Sequence, residues 1–151
     1  MRVDDVMSRG VETIEPSASC HEAAARMYRA KVRHLPVVGP AGTLTGIVTD
    51  RDLRHGLLAP VVFGGANTTV ETVLENARVS DLMSRSVVTA SPGEDLADAA
   101  RTMLEHRIGC LPVVADGRVV GIVTETDLLR QLIRDAEWCC GEVPAIVVSF
   151  P

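Results

Sequence analysis

The sequence predicts a mixed α/β (α+β) fold in which two β-α-β-β-α units pack together into one globule. Three observations carry that expectation: a repeat at an offset of 76 residues, paired β-branched runs in each repeat, and a capped amphipathic segment ahead of each pair. Sliding 3–38 onto 79–114 places identical residues at Val3, Asp5, Met7, Ser8, Arg9, Val11, Thr13, Pro16, Ala23, Ala24, Met27, Leu35, Pro36, Val37 and Val38. Ordinary residue frequencies would give roughly two such coincidences. After a one-residue deletion, Gly46-Ile47-Val48-Thr49 and Asp52-Leu53 recur as Gly121-Ile122-Val123-Thr124 and Asp127-Leu128.

Each unit reads in the same order. A short apolar strand comes first, Val11–Ile14 or Val87–Ala90, ended by Pro16 or Pro92, since proline cannot donate to a ladder. A helix follows, opened by Ser19 with Glu22 three residues on, or by Asp95 with Asp98, at or near capping-box spacing. Ala23, Ala24 and Met27, and again Ala99, Ala100 and Met103, recur at helical spacing and form one apolar face. Two β-branched runs come next, Leu35–Val38 with Leu44–Val48 and Leu111–Val114 with Val119–Val123, turned by Gly42 and by Asp116-Gly117. A second helix starts after Thr49 and after Thr124. One unit of about 55 residues buries too little surface to be comfortable alone, so the pair is expected to fold as one body. Between the halves, Ala59-Pro60 is expected to stop a helix, Gly64–Asn67 to form a loop, and Thr68 with Glu71 to open another short helix.

Composition narrows the function classes. The chain of 151 residues is 46% hydrophobic and 3% aromatic, so its core is expected from Val, Ile, Leu, Ala and Met. A net charge of −5 argues against a nucleic-acid-binding module, which usually carries a strongly basic face. No run of about 20 apolar residues and no signal-peptide core are present, so no membrane insertion and a cytoplasmic location are expected. Cys20, Cys110, Cys139 and Cys140 show no C-x-x-C spacing, and no disulfide framework or metal site is expected from them. Adjacent Cys139-Cys140 suits a metal or redox switch, or simply two small buried residues. No nucleophile–base–orienter trio and no P-loop can be placed, so no catalytic residue and no catalytic cofactor are assigned.

Thr49-x-x-Asp52 and Thr124-x-x-Asp127 carry the most chemistry, each at a strand-to-helix junction. A carboxylate there can accept hydrogen bonds from both hydroxyls of a ribose, while the helix start presents N–H groups to a phosphate. The same pattern is also a plain helix-start device, with Thr at the N-cap and Asp at N3. Spacing alone favours the cap.

The residues in this order resemble the CBS (cystathionine β-synthase) domain family, as a tandem pair or Bateman module. The resemblance rests on Asp5-Val6-Met7 and Asp81-Leu82-Met83, on Thr13 and Thr89 ahead of prolines, on HLPVV and CLPVV, and on GIVTDRDL and GIVTETDL. It spans about 2–57 and 78–132 and divides the chain into a first CBS domain (1–58), a linker (59–77), a second CBS domain (78–135) and a C-terminal tail (136–151). It implies two repeats about a pseudo-twofold axis, with two clefts that take AMP, ADP or ATP, or in some members S-adenosylmethionine. It also implies a homodimer that controls a regulated protein, whose identity the sequence does not name. The Asp of the T-x-x-D motif becomes the expected ribose ligand.

The resemblance also implies that each cleft joins one repeat's Asp to the other repeat's base contacts. One cleft would combine Thr49, Arg51 and Asp52 with Val88, Thr89, Ile108 and Gly109; the other would combine Thr124 and Asp127 with Thr13, Ile14, Val32 and Arg33. Arg51 stands beside Asp52, and Lys31, Arg33 and His34 lie in the same repeat, whereas Thr126, Gly109, Cys110 and a single charge, Arg107, are their counterparts. The Asp52 cleft is therefore expected to be the better anion site. Arg33 and His34 read equally as a solvated basic cluster, and Cys110 as a small buried apolar residue. Gly141 is a plausible helix C-cap, and the apolar segment Val143–Phe150 is expected to cover the pair or meet a partner chain. The rival readings are a self-contained enzyme, a dimerisation scaffold without ligand, and a redox or metal sensor at Cys139-Cys140.

Overall fold

A computed structural model of the chain describes residues 1–63 and 69–140. The elements run α1 (Val3–Val6), α2 (Cys20–Ala30), β1 (His34–Val38), β2 (Leu44–Thr49), α3 (Asp50–Phe63), α4 (Val70–Asn76), α5 (Val79–Leu82), α6 (Leu96–His106), β3 (Cys110–Ala115), β4 (Arg118–Thr124) and α7 (Glu125–Cys140). Strands β1 and β2 pair antiparallel with Leu35 opposite Val48, and β3 and β4 pair with Leu111 opposite Val123. Asp116 and Gly117 both take positive φ, 51° and 76°, the backbone that a two-residue hairpin turn requires. The first hairpin instead turns through a 3-10 segment, Pro40–Gly42.

The expected leading strands shrink to one paired residue each. Ile14 joins Val37 and Ala90 joins Val113 in parallel, with Ile14 N–H donating to the Pro36 carbonyl at 3.1 Å and Ala90 N–H to the Pro112 carbonyl at 3.0 Å. Pro16 and Pro92 stand just beyond, and the Thr13 carbonyl accepts from the Arg26 guanidinium at 2.6 Å instead of from a neighbouring strand. Ser19 caps α2 as expected, its hydroxyl accepting from Glu22 N–H at 3.1 Å, but the Glu22 carboxylate turns to Arg26. Asp95 caps α6 through Ala97 N–H at 2.8 Å. Two expectations for the connection are corrected. Helix α3 runs past Ala59-Pro60 to Phe63, so the ~3 kcal/mol that an interior proline costs a helix is outweighed here rather than ending it. Helix α4 is capped by Thr69, whose hydroxyl accepts from Thr72 N–H at 3.2 Å, one residue after the expected Thr68. The expected loop at 64–67, Gly141 and the 143–150 segment lie outside the described residues.

The two units are interlocked by exchange of their leading segments. Helix α1 precedes the first unit in the chain but packs on the second: Val3 N–H donates to the Glu94 carbonyl at 2.9 Å and Asp4 N–H to the Pro92 carbonyl at 3.0 Å. Helix α5 returns the arrangement on the first unit, with Val79 N–H to Ala18 and Ser80 N–H to Pro16, each at 2.9 Å. Asp5 and Asp81 accept from the backbone N–H of Arg2 and Arg78 at 2.8 Å, closing each short helix. Ser8 then pairs with Ile122 of β4, and Ser84 with Ile47 of β2, each extending the other unit's sheet.

The cores follow the same exchange. Ile14, Cys20, Ala23, Met27, Leu35, Val37, Val48 and Leu53 cluster with Val79 and Met83. Ala90, Ala99, Met103, Leu111, Val113 and Val123 cluster with Val3 and Met7. Gly46 and Gly121 make the seam possible: a Cβ on either would meet the sulfur of Met83 at 2.7 Å or of Met7 at 2.5 Å.

Met7→Ala is expected to cost about 2–5 kcal/mol, as truncation of a buried methionine usually does. Denaturant unfolding with site-resolved hydrogen exchange checks it. Protection should fall in β3 and β4, far along the chain, rather than in β1 and β2.

Candidate functional site

Each T-x-x-D motif forms a closed local ring. Thr49 donates both its N–H (2.9 Å) and its hydroxyl (2.7 Å) to Asp52 Oδ2, and Asp52 N–H returns to the Thr49 hydroxyl at 3.2 Å. Thr124 donates to Asp127 Oδ2 at the same two distances. The cap and the ligand reading are therefore compatible, because one carboxylate oxygen closes the helix start and leaves Oδ1 for another partner. At Asp127 that oxygen faces Arg130 Nη1 at 3.6 Å, and the carboxylate side chain is only 10% exposed.

Asp52 opens on a cleft of about 470 Å³, whose walls come from both repeats. Thr49, Arg51 and Asp52 line it with Val88, Ile108 and Gly109, and so do Arg33 and His34. Thr89 does not; it is exposed, one residue past Val88 on an extended segment, where successive side chains point to opposite sides. Asp127 opens on a smaller cleft of about 280 Å³, lined by Thr124, Thr126, Val32, Arg33 and His34. Thr13 and Ile14 are not part of it. They border a separate recess with Glu22 and Arg26, and Ile14 is a core residue at 1% exposure. Their expected place is taken by Val11 and Glu12.

The charges also cross between repeats. Arg107, which ends α6 in a left-handed conformation (φ 54°), lines the Asp52 cleft, and its counterpart Lys31 (φ 54°) lines the Asp127 cleft. Each cleft draws one wall from the opposite repeat, so the cation at a helix end lies in the cleft of the other repeat's aspartate. Among the described residues the larger cleft carries Arg33, Arg51, Arg54 and Arg107, with Asp50 bound to Arg54 at 2.9 Å and Glu125 also lining it. The smaller carries Lys31, Arg33 and Arg130 against Glu12 and Asp127. Sequence reading missed Arg54, Arg130, Glu12, Ser84 and Glu125. Arg54 and Arg130 are legible as the residues that follow the motif Asp by two and three positions on the same helix.

Cys110 is a buried thiol whose pKa is pushed up to about 12, by burial first and then by the Glu125 carboxylate. That is the inert environment expected of a small buried apolar residue. Its counterpart His34 is held below the ordinary imidazole range by burial and by Arg33, against the opposing pull of Asp50, Glu125 and Asp52. The unfolded chain therefore takes this proton near pH 6.5 while the folded chain takes it only at lower pH, so stability should fall as pH drops below 6.5. Thermal melts of wild type and His34→Gln between pH 7.5 and 5 check this; the variant should lack that part of the decline.

Comparison with known proteins identifies the architecture. The model of the CBS domain matches residues 3–59 and again 79–134. The uncharacterized protein MJ1225 of Methanocaldococcus jannaschii is 34% identical over 133 residues, 88% of this chain and 43% of that protein. The homoserine O-acetyltransferase of Methanococcoides burtonii is 36% identical over 129 residues, 85% of this chain and 23% of the enzyme. The chain thus spans less than half the length of these curated relatives. Among solved structures, CBSX2 in complex with AMP superposes with a TM-score of 0.71 at 31% identity, over 89% of this chain and 98% of that one. The CBS domain pair of MJ0100, in complex with 5′-methylthioadenosine and S-adenosyl-L-methionine, gives 0.72 at 31% identity, with the same coverage. With a domain model matched twice along one interlocked pair of units, this chain belongs to the CBS domain family.

Proposed function

We propose that this chain is a regulatory module that binds an adenosine nucleotide, AMP, ADP or ATP, in the Asp52 cleft and thereby controls a partner protein. One observation carries the reading. Asp52 is locked by Thr49 through a single oxygen, in a cleft of about 470 Å³ that also holds four arginines and the apolar side chains of Val88 and Ile108. A fixed carboxylate oxygen suits a ribose diol, apolar walls suit a planar base, and guanidinium groups suit a phosphate. The AMP complex of CBSX2 and the methylthioadenosine and S-adenosylmethionine complex of MJ0100 support an adenosyl ligand. The homoserine O-acetyltransferase relative, in which the matched part is a minor share of the length, supports a module acting alongside another domain.

The Asp127 cleft is the weaker anion site in this reading, because it is smaller and Arg130 already engages Asp127. Asp52→Ala is expected to weaken AMP binding by roughly 10- to 150-fold, the equivalent of a lost charge-assisted hydrogen bond of about 1.5–3 kcal/mol. Asp127→Ala should weaken it less. Titration calorimetry of the three proteins against AMP, ADP, ATP and S-adenosylmethionine measures both, with each ligand-free melting point recorded because loss of the cap costs about 1 kcal/mol by itself. No binding of any of the four by wild type would leave a ligand-free dimerisation scaffold.

The module is also read as a homodimer. Leu129, Leu132 and Ile133 form one apolar face of α7 and remain 60%, 64% and 57% exposed in the single chain. Sedimentation should give about twice the 16.1 kDa chain mass, and Leu132→Glu should shift it to the monomer.

A further inference from the structure

The two clefts do not have separate cation sets. Arg33, His34 and Gly109 line both of them. The repeat offset shows why: Gly109 is the counterpart of Arg33, and Cys110 that of His34. An exact repeat would place an arginine at both of these positions, whereas here the second repeat contributes a glycine with no side chain, and a buried thiol. The space a Gly109 side chain would fill is bordered by His34 Nε2, 3.6 Å from the Cβ position, and by Glu125 Oε2 at 3.4 Å. Arg33 is exposed and, among the described residues, has no ion-pair partner. Its guanidinium is permanently charged, while His34 is held toward its neutral form. The shared charge is therefore that of Arg33.

We propose that Arg33 couples the two clefts negatively, so that an anionic ligand in one lowers the affinity of the other for a second anion. The first phosphate engages a charge that the second then finds already neutralised, and the two phosphates also repel each other. Because coupling between two binding events is reciprocal, either cleft can be the one filled first. The module then responds over a wider span of nucleotide concentration than two equal sites would. The inference rests on nucleotide binding at these clefts, but it concerns how they communicate.

Calorimetric titration with AMP tests it on four full-length proteins: wild type, Asp52→Ala, Asp127→Ala and Arg33→Gln. The two aspartate variants report each cleft with the other disabled. In wild type the second AMP should bind at least about tenfold more weakly than the cleft it enters binds alone. In Arg33→Gln the first event should weaken by a similar factor, while the gap between the two events narrows toward the intrinsic difference between the clefts. A wild type that fills one cleft only, in a chain whose Asp52→Ala variant still takes AMP in the other, is the extreme form of the same coupling. Stepwise constants equal to those of the single-cleft variants overturn the proposal, as does a gap as wide in Arg33→Gln as in wild type, or an Asp52→Ala protein that binds no AMP. Failure of all four proteins to bind AMP overturns the nucleotide reading as well.

Discussion

The architecture depends on one reciprocal exchange: each repeat's leading segment completes the other repeat's core. Val3 and Val79 are both 0% exposed, and Met7 and Met83 both 8%. Each buried side chain of this kind stabilises by roughly 1.5–3 kcal/mol. That is a large share for a unit too small to bury much surface from its own residues. The methionines reach the opposite sheet only because Gly46 and Gly121 carry no side chain there. Backbone pairing of Ser8 with Ile122 and Ser84 with Ile47 then holds the register between halves. The motif Asp-x-Met is thereby explained in physical terms, with the Asp closing a one-turn helix and the Met crossing to the partner core.

The clefts are consequences of that exchange. Ser84–Val88 arrives beside β2 because Ser84 pairs there, and it carries Val88 to within reach of Asp52. The equivalent segment brings Ser8, Val11 and Glu12 beside Asp127. Near-identical backbones thus present different walls, Val88 in the first cleft standing where Glu12 stands in the second. Pseudo-symmetry positions the lining groups, and the differences between repeats set which charges and apolar walls each cleft presents.

The motif carboxylate is fixed by local geometry, with one oxygen closing the helix start and the other not engaged by the threonine. Two donors from Thr occupy one oxygen in both repeats, fixing the rotamer of Asp52 and Asp127 before any ligand arrives. A preorganised acceptor loses little conformational entropy on binding. The local electrostatics then separates the pair, since Arg130 stands on Asp127 and the corresponding residue of the first repeat is His55.

Much of this was legible in the chain because a repeat doubles every signal. The helices, the hairpins, the caps at Ser19 and Asp95 and the T-x-x-D motifs are local, arising from periodicity and turn chemistry within about ten residues. That the leading strands pair over a single residue was not legible, because short runs such as Val11–Ile14 and Val87–Ala90 look the same whether one of their residues or all of them pair. Which repeat each leading segment joins is a long-range fact, decided by where Val3, Met7, Val79 and Met83 find a cavity, and no local pattern encodes it. The same holds for Lys31 and Arg107, whose clefts are exchanged relative to their place in the chain, and for Thr13, Ile14 and Thr89, whose side chains face away. Residue types and spacing determined the units and the chemistry available to them; packing between the units decided which groups meet, because a cleft built from two repeats exists only once both have folded together.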